Sequence, residues 1–256
     1  MKSQLTTLLV AGSLLLLAGP ASAQDASPQI RPAEFFPCTF NEGRDMGDLE
    51  KVIARWNAFT DDNDADTGYQ AWLLTPDFVS GDHAGWDVGW LGGWPSGADM
   101  GKSLDIWHTK GGELQRAFAD VVTCAAHMNY AVMPMREAAG EPPKAPLLTF
   151  ADCEVERNAN MEVGLGAIRE WIEYETSAGG DSPHWVFFPA YGEPVDADYD
   201  FKWVTGYRDY AAFGKDWDAY ANEGGWQRAQ QIFPGALECD SPRVYRAKPI
   251  RLPKGG

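Results

Sequence analysis

Apolar positions fall at helical spacing in two stretches of the chain. Leu49, Val52, Ile53, Trp56 and Phe59 recur at steps of three and four, which gathers them on one stripe of a helix. Leu165, Ile168, Trp171 and Ile172 repeat that pattern further along. Around these stretches, aromatic and β-branched runs read as strands. In the first part they are Phe35 to Phe40, Tyr69 to Leu74, Trp86 to Leu91 and His127 to Met135. In the second they are Leu147 to Val155, His184 to Phe188, Tyr199 to Val204 and Arg243 to Leu252. A second helical stretch begins near Gly101 and again near Gly214. Each is interrupted by a glycine pair, Gly111-Gly112 and Gly224-Gly225, because adjacent glycines weaken a helix interior. The predicted order is β-α-β-β-α-β, twice over.

The two parts read as copies of one unit. Cys38 to Cys124 and Cys153 to Cys239 span the same 86 positions, and the second pair follows the first by 115. At that offset Met46 meets Met161, Ile53 meets Ile168 and Trp56 meets Trp171. With a two-residue slip, Trp86-Asp87-Val88-Gly89-Trp90 falls on Tyr199-Asp200-Phe201-Lys202-Trp203, and Gly101-Lys102 on Gly214-Lys215. The first unit is expected over residues 24–136 and the second over 147–256. The Pro-rich polar stretch 137–146 (EAAGEPPKAP) joins them.

Two such units in one chain resemble the dimeric α+β barrel superfamily in its fused, tandem form. The resemblance rests on element order and duplication across nearly all of residues 24–256. It implies an α+β fold of two tandem ferredoxin-like βαββαβ repeats, packed sheet to sheet as an intramolecular barrel. Strand patterning agrees, since Gln70, Trp72 and Leu74 alternate with Tyr69, Ala71 and Leu73. One face has bulk for the helices and the other has bulk for a second sheet. Where many members dimerise, the fusion implies that a monomer suffices. Some members bind haem or oxidise aromatic substrates, with a histidine on or near the second helix, and His108 matches that location here.

Residues 1–23 read as a secretory signal: Lys2, an apolar run from Leu8 to Ala18, then Ala21-Ser22-Ala23 as the cleavage site. The run is too short to span a membrane, and no transmembrane segment follows. An exported protein is therefore expected, in the periplasm or the medium. In that setting four cysteines read as disulfides. Of three possible pairings, the repeat symmetry favours Cys38–Cys124 and Cys153–Cys239. A four-cysteine zinc site would require C-x-x-C spacing, which is missing. The composition, 45% hydrophobic and 12% aromatic, supports a packed core. A net charge of −16 argues against nucleic acid as a partner.

Local catalytic signatures fail on inspection. The histidines His83, His108, His127 and His184 form no H-x-x-x-H or H-x-H pair, so no metal site is predicted. The run Asp61 to Gly68 has the acidic look of a calcium loop. It places Thr67 where glycine is required and Leu73 where the closing glutamate belongs. Gly97 to Ser103 has Ser96 where a phosphate loop needs its first glycine. No G-x-S-x-G elbow accompanies Gly180-Asp181-Ser182. The repeated Asp87 and Asp200 are expected to be buried strand carboxylates paired with the helix residues Lys102 and Lys215.

Trp90, Trp107, Trp203 and Tyr220 are candidates for the wall of a site for a small organic ligand between sheet and helices. The function expected first is binding of a small aromatic or apolar molecule there. An oxygenase or lyase-type enzyme, haem-linked or not, would use His108 or His127 instead, against the plainer reading of each as a solvent-facing or hydrogen-bonded histidine. A structural or envelope-interaction protein would have no such pocket. The sequence names no cofactor.

Overall fold

The structure, a computed structural model, describes residues 29–81, 85–140, 143, 146–194 and 197–252. The signal expected over residues 1–23, and His83, lie outside the described residues. The first set of elements is β1 (Arg31–Phe40), α1 (Met46–Asp62), β2 (Gln70–Phe78), β3 (Val88–Gly93), α2 (Gly97–Lys110), α3 (Gly112–Ala119), β4 (Val122–Cys124) and β5 (Met128–Arg136). The second repeats the order: β6 (Leu147–Val155), α4 (Met161–Ser177), β7 (His184–Tyr191), β8 (Phe201–Tyr207), α5 (Tyr210–Asn222), α6 (Gly225–Ile232), β9 (Leu237–Cys239) and β10 (Arg243–Arg251). Short polar side chains start the helices. Asp45 and Asn160 cap α1 and α4, while Ser96 and Asp209 cap α2 and α5. The glycine pairs divide α2 from α3 and α5 from α6. At Gly111 a Cβ would lie 2.5 Å from the Trp107 carbonyl oxygen, so the chain turns there only because no side chain intervenes.

All strand pairings are antiparallel, in the order β10-β2-β3-β1-β5-β7-β8-β6, and a β10–β6 ladder closes the ring. Within each half the order β5-β1-β3-β2, or β10-β6-β8-β7, is that of a ferredoxin-like sheet. The halves also meet edge to edge, because β5 pairs with β7 and β10 with β2. The barrel interior is filled by Leu74, Leu91, Tyr130, Val132, Phe187, Val204, Tyr245 and Ala247. On the outer faces, α1 to α3 cover Ala71, Leu73 and Val88, while α4 to α6 cover Ala151, Val186 and Phe201. Among the described residues no helix is long and apolar enough to cross a membrane.

The disulfides are Cys38–Cys124 and Cys153–Cys239. Each joins directly opposed residues of a short ladder, β1 with β4 and β6 with β9. The expected strand–helix ion pairs do not form. Asp87 and Asp200 are exposed at strand entries. Asp87 accepts from the Phe40 backbone N–H (2.8 Å) and Asp200 from that of Val155 (2.7 Å). An exposed carboxylate that already holds a backbone donor has no need of a lysine. Lys215 donates instead to the Gly179 carbonyl (3.1 Å), and Lys102 is exposed.

A second repeated device is made by the arginines that end β5 and β10. Arg136 reaches into the second half, donating to the Ser182 carbonyl (2.6 Å), Thr176 Oγ1 (2.8 Å) and Glu175 Oε2 (2.9 Å). Arg251, 115 positions on, reaches back into the first half, to Asn57 Oδ1 (3.0 Å), Asp61 (2.9 Å) and Asp66 (3.0 Å). The acidic run with the look of a calcium loop is thus the counter-charge to a buried arginine.

Candidate functional site

The helix-facing side of the first half leaves a cavity of about 340 Å³ between β1–β3 and α1–α3. That is within the usual range for small-molecule pockets. Alternation along the strands aims Glu34, Phe36, Leu73, Val88 and Trp90 into it, while their odd-man neighbours Phe35, Trp72 and Leu91 face the barrel interior. α1 contributes Trp56 and Phe59, α2 contributes Leu104, Trp107 and His108, and α3 contributes Phe118. The rings meet mostly edge to face: Trp56–Trp90 at 4.9 Å, Trp90–Phe118 at 5.8 Å and Phe59–Trp107 at 6.0 Å.

Against this apolar wall stands one polar cluster. Tyr69 donates its hydroxyl proton to Glu34 Oε1 (2.6 Å) and accepts from Trp90 Nε1 (2.7 Å). His127 Nε2 lies 2.9 Å from Glu34 Oε2, and its ring stacks on Phe36 with centroids 3.8 Å apart. Burial, then the charge of Glu34 and the hydrogen bond to it, push the Tyr69 phenol well above its ordinary pKa, so it stays a donor. Gly92 makes room for this arrangement. It pairs with Glu34 across the β1–β3 ladder, and a Cβ on it would lie 1.7 Å from the Tyr69 hydroxyl. Glu34 itself is 8% exposed, whereas the His127 side chain is half exposed at the edge of the cluster. Among the described residues no lysine or arginine lines the cavity.

Of the residues expected to form a site, Trp90, Trp107, His108 and His127 all border this cavity. His108 is otherwise exposed on α2 and makes no hydrogen bond among the described residues. Trp203 and Tyr220 stand elsewhere. Trp203 Nε1 donates to His184 Nδ1 (3.1 Å), and Tyr220 is 48% exposed, edge-on to Trp171 at 6.1 Å. Sequence reading passed over Glu34, Tyr69 and Trp56. The signal for the first two was available in the repeat alignment, where Glu34 meets Thr149 and Tyr69 meets His184, whereas Trp56 meets Trp171 and is not set apart.

The second half builds a different centre at the matching place. His184 is buried, with Nε2 2.6 Å from Glu175 Oε2. An indole N–H can only donate, so His184 Nδ1 accepts from Trp203 and the ring proton sits on Nε2, facing Glu175. Glu175 also takes the Trp171 indole N–H (2.9 Å) and Arg136 (2.9 Å). Both nitrogens of His184 are therefore occupied. Among the described residues no cluster of three or more metal-ligating side chains is present.

No protein-family model matches the chain, and no curated protein matches it in sequence. Solved structures do match. A "putative monooxygenase" from Fusobacterium nucleatum is similar with a TM-score of 0.54 at 8% identity, over 90% of this chain and 96% of that one. A mutant chlorite dismutase from Candidatus Nitrospira defluvii follows at 0.52 and 11% identity, over 86% and 92%. A "putative monooxygenase" from Lactobacillus acidophilus gives 0.50 and 12%, over 88% and 96%. The chain has the dimeric α+β barrel fold in its fused, tandem form. At such identities the likeness is one of fold.

The haem that some proteins of this fold hold does not fit the first-half cavity. Among the described residues its propionates would meet no lysine or arginine there, and the lining carries the carboxylate of Glu34 instead. The Nε2 of His127 is engaged by that carboxylate and its ring face by Phe36. In the second half His184 has no nitrogen to offer.

Proposed function

We propose that this is an exported protein, released from a signal over residues 1–23, that binds one small, largely aromatic molecule in the first-half cavity. The observation carrying this reading is the cavity itself: an aromatic-walled space of about 340 Å³ with a polar cluster of buried Glu34 and Tyr69 and half-exposed His127. Two disulfides suit an oxidising compartment. The partner is a small organic molecule, not nucleic acid, and one chain suffices to bind it. Native mass spectrometry and calorimetry on the exported, oxidised protein test the reading. Saturable one-to-one binding of small aromatics is expected, and Leu104→Trp, which fills the cavity, should abolish it. Binding unaffected by that substitution would place the ligand elsewhere and overturn the reading.

A second reading has its own observation. A buried carboxylate holding one ring nitrogen of a histidine beside a ligand cavity is the arrangement of an oriented general base. In an oxygenase or lyase-type enzyme, His127 would take a proton from the bound molecule and Glu34 would steady the imidazolium. His108 has no such partner. If a substrate is found, His127→Ala should lower kcat by at least about a hundredfold, a larger loss than any change in KM.

A further inference from the structure

We infer that the cavity selects organic cations, specifically an amine carried on an aromatic or compact apolar body. This rests on the ligand-binding reading above and names the class of ligand. Three observations converge on it. The first is acceptor capacity. A carboxylate offers roughly four lone-pair sites, and Glu34 has two donors, Tyr69 and His127. The buried carboxylate of the second half, Glu175 on α4, already takes three, one of them the Arg136 guanidinium. The buried carboxylate of the first half therefore has room for an ammonium that the second has filled from within the chain.

The second observation is the sign of the lining. Glu34 is a buried carboxylate of the cavity, and among the described residues no lysine or arginine lines the space with it. His127 Nε2, 2.9 Å from Oε2, shares this carboxylate from a half-exposed side chain and leaves its remaining lone pairs to a ligand. An anionic ligand would be desolvated against a like charge, and a neutral one would forgo the charge-assisted hydrogen bond. The third is the wall. Trp56, Trp90 and Trp107 all border the space, indole faces attract ammonium groups, and Trp56 already carries one cation, the Arg251 guanidinium 5.7 Å from its ring centroid. The net charge of −16 adds a long-range field that favours cations.

Calorimetry on the oxidised, exported chain with three ligands of one shape tests the inference: 2-phenylethylamine, 2-phenylethanol and phenylacetate. The amine should bind at least tenfold tighter than the alcohol, with no measurable heat from the acid. Glu34→Gln keeps the size of the side chain and should bring the amine down to the level of the alcohol. If amine and alcohol bind alike and Leu104→Trp removes both, the cavity binds ligands without regard to charge. Cation selectivity then fails while the ligand-binding reading stands. If none of the three nor any neutral aromatic binds, both fail together. The amine–alcohol comparison on the unsubstituted protein decides the matter even if Glu34→Gln does not fold.

Discussion

Glu34 and Thr149 occupy equivalent places in the two halves, as do Tyr69 and His184, and these two differences give the halves different buried polar clusters. Gly92 protects the difference, because the Tyr69 hydroxyl stands where its side chain would be. Gly92→Ala should displace Tyr69, cost about 1–3 kcal/mol in a denaturant titration and weaken ligand binding. A variant of unchanged stability would show that the ring moves aside freely. Asp216 makes a pH-dependent prediction in the other half. Burial, and then the negative charge of Glu175, push its carboxyl above the ordinary value of 3.8, while Tyr207, His184 and Arg136 pull the other way. A carboxyl with a raised pKa binds its proton more tightly when folded. Its contribution to stability is present at low pH and is lost as pH rises from 3.8 through the folded value. Asp216→Asn keeps an acceptor for the Tyr207 hydroxyl (2.8 Å in the unsubstituted protein) and should raise Tm at about pH 7, with the gain vanishing near about pH 3. A gain that does not change with pH would assign the effect to packing.

Strand ends, more than helices, tie the halves together. β5 and β10 each cross to the other half's sheet, and each finishes on an arginine that anchors the other half's first helix. Arg136→Ala should cost about 3–5 kcal/mol, because it leaves Glu175 buried with a charge that only neutral donors then face. Replacing Glu175 by Gln in the same chain should recover part of that loss, and an absence of recovery would mean the arginine acts through its backbone contacts. Both clamps and both disulfides sit at repeat-related positions, so the corresponding first- and second-half variants can be compared directly. Replacing Cys38 and Cys124 together by Ala should lower stability by about 2–5 kcal/mol, read by thermal melting under oxidising conditions.

Across the molecule, the eight long strands close on themselves and leave neither sheet an unpaired edge. Closure of this kind removes the usual template for edge-to-edge association. Sedimentation should therefore give the mass of a single chain over a wide concentration range. A concentration-dependent dimer would point to the exposed aromatics of α5 and α6, among them Trp217 (59% exposed) and Trp226 (42%), as an interface.

Much of this architecture is written in local pattern. The apolar stripes of α1 and α4, the alternation of β2, the glycine breaks and the 86-residue cysteine spacing all act over short range or as exact repeats, so they are readable before the chain is folded. β4 and β9 are three residues each, too short for alternation to register, and they become strands because a disulfide partner lies opposite. Asp87 and Asp200 were legible as a repeated pair but not as backbone acceptors, since burial depends on what packs above a residue. The cavity shows the same division. Trp90, Trp107, His108 and His127 carry their chemistry in their names, whereas Glu34 is an ordinary carboxylate until the fold buries it beside Tyr69 and His127. Those contacts join residues 35 and 93 positions apart, and no periodicity within either segment encodes them. The cavity and the carboxylate within it exist only once the helices have closed over the sheet.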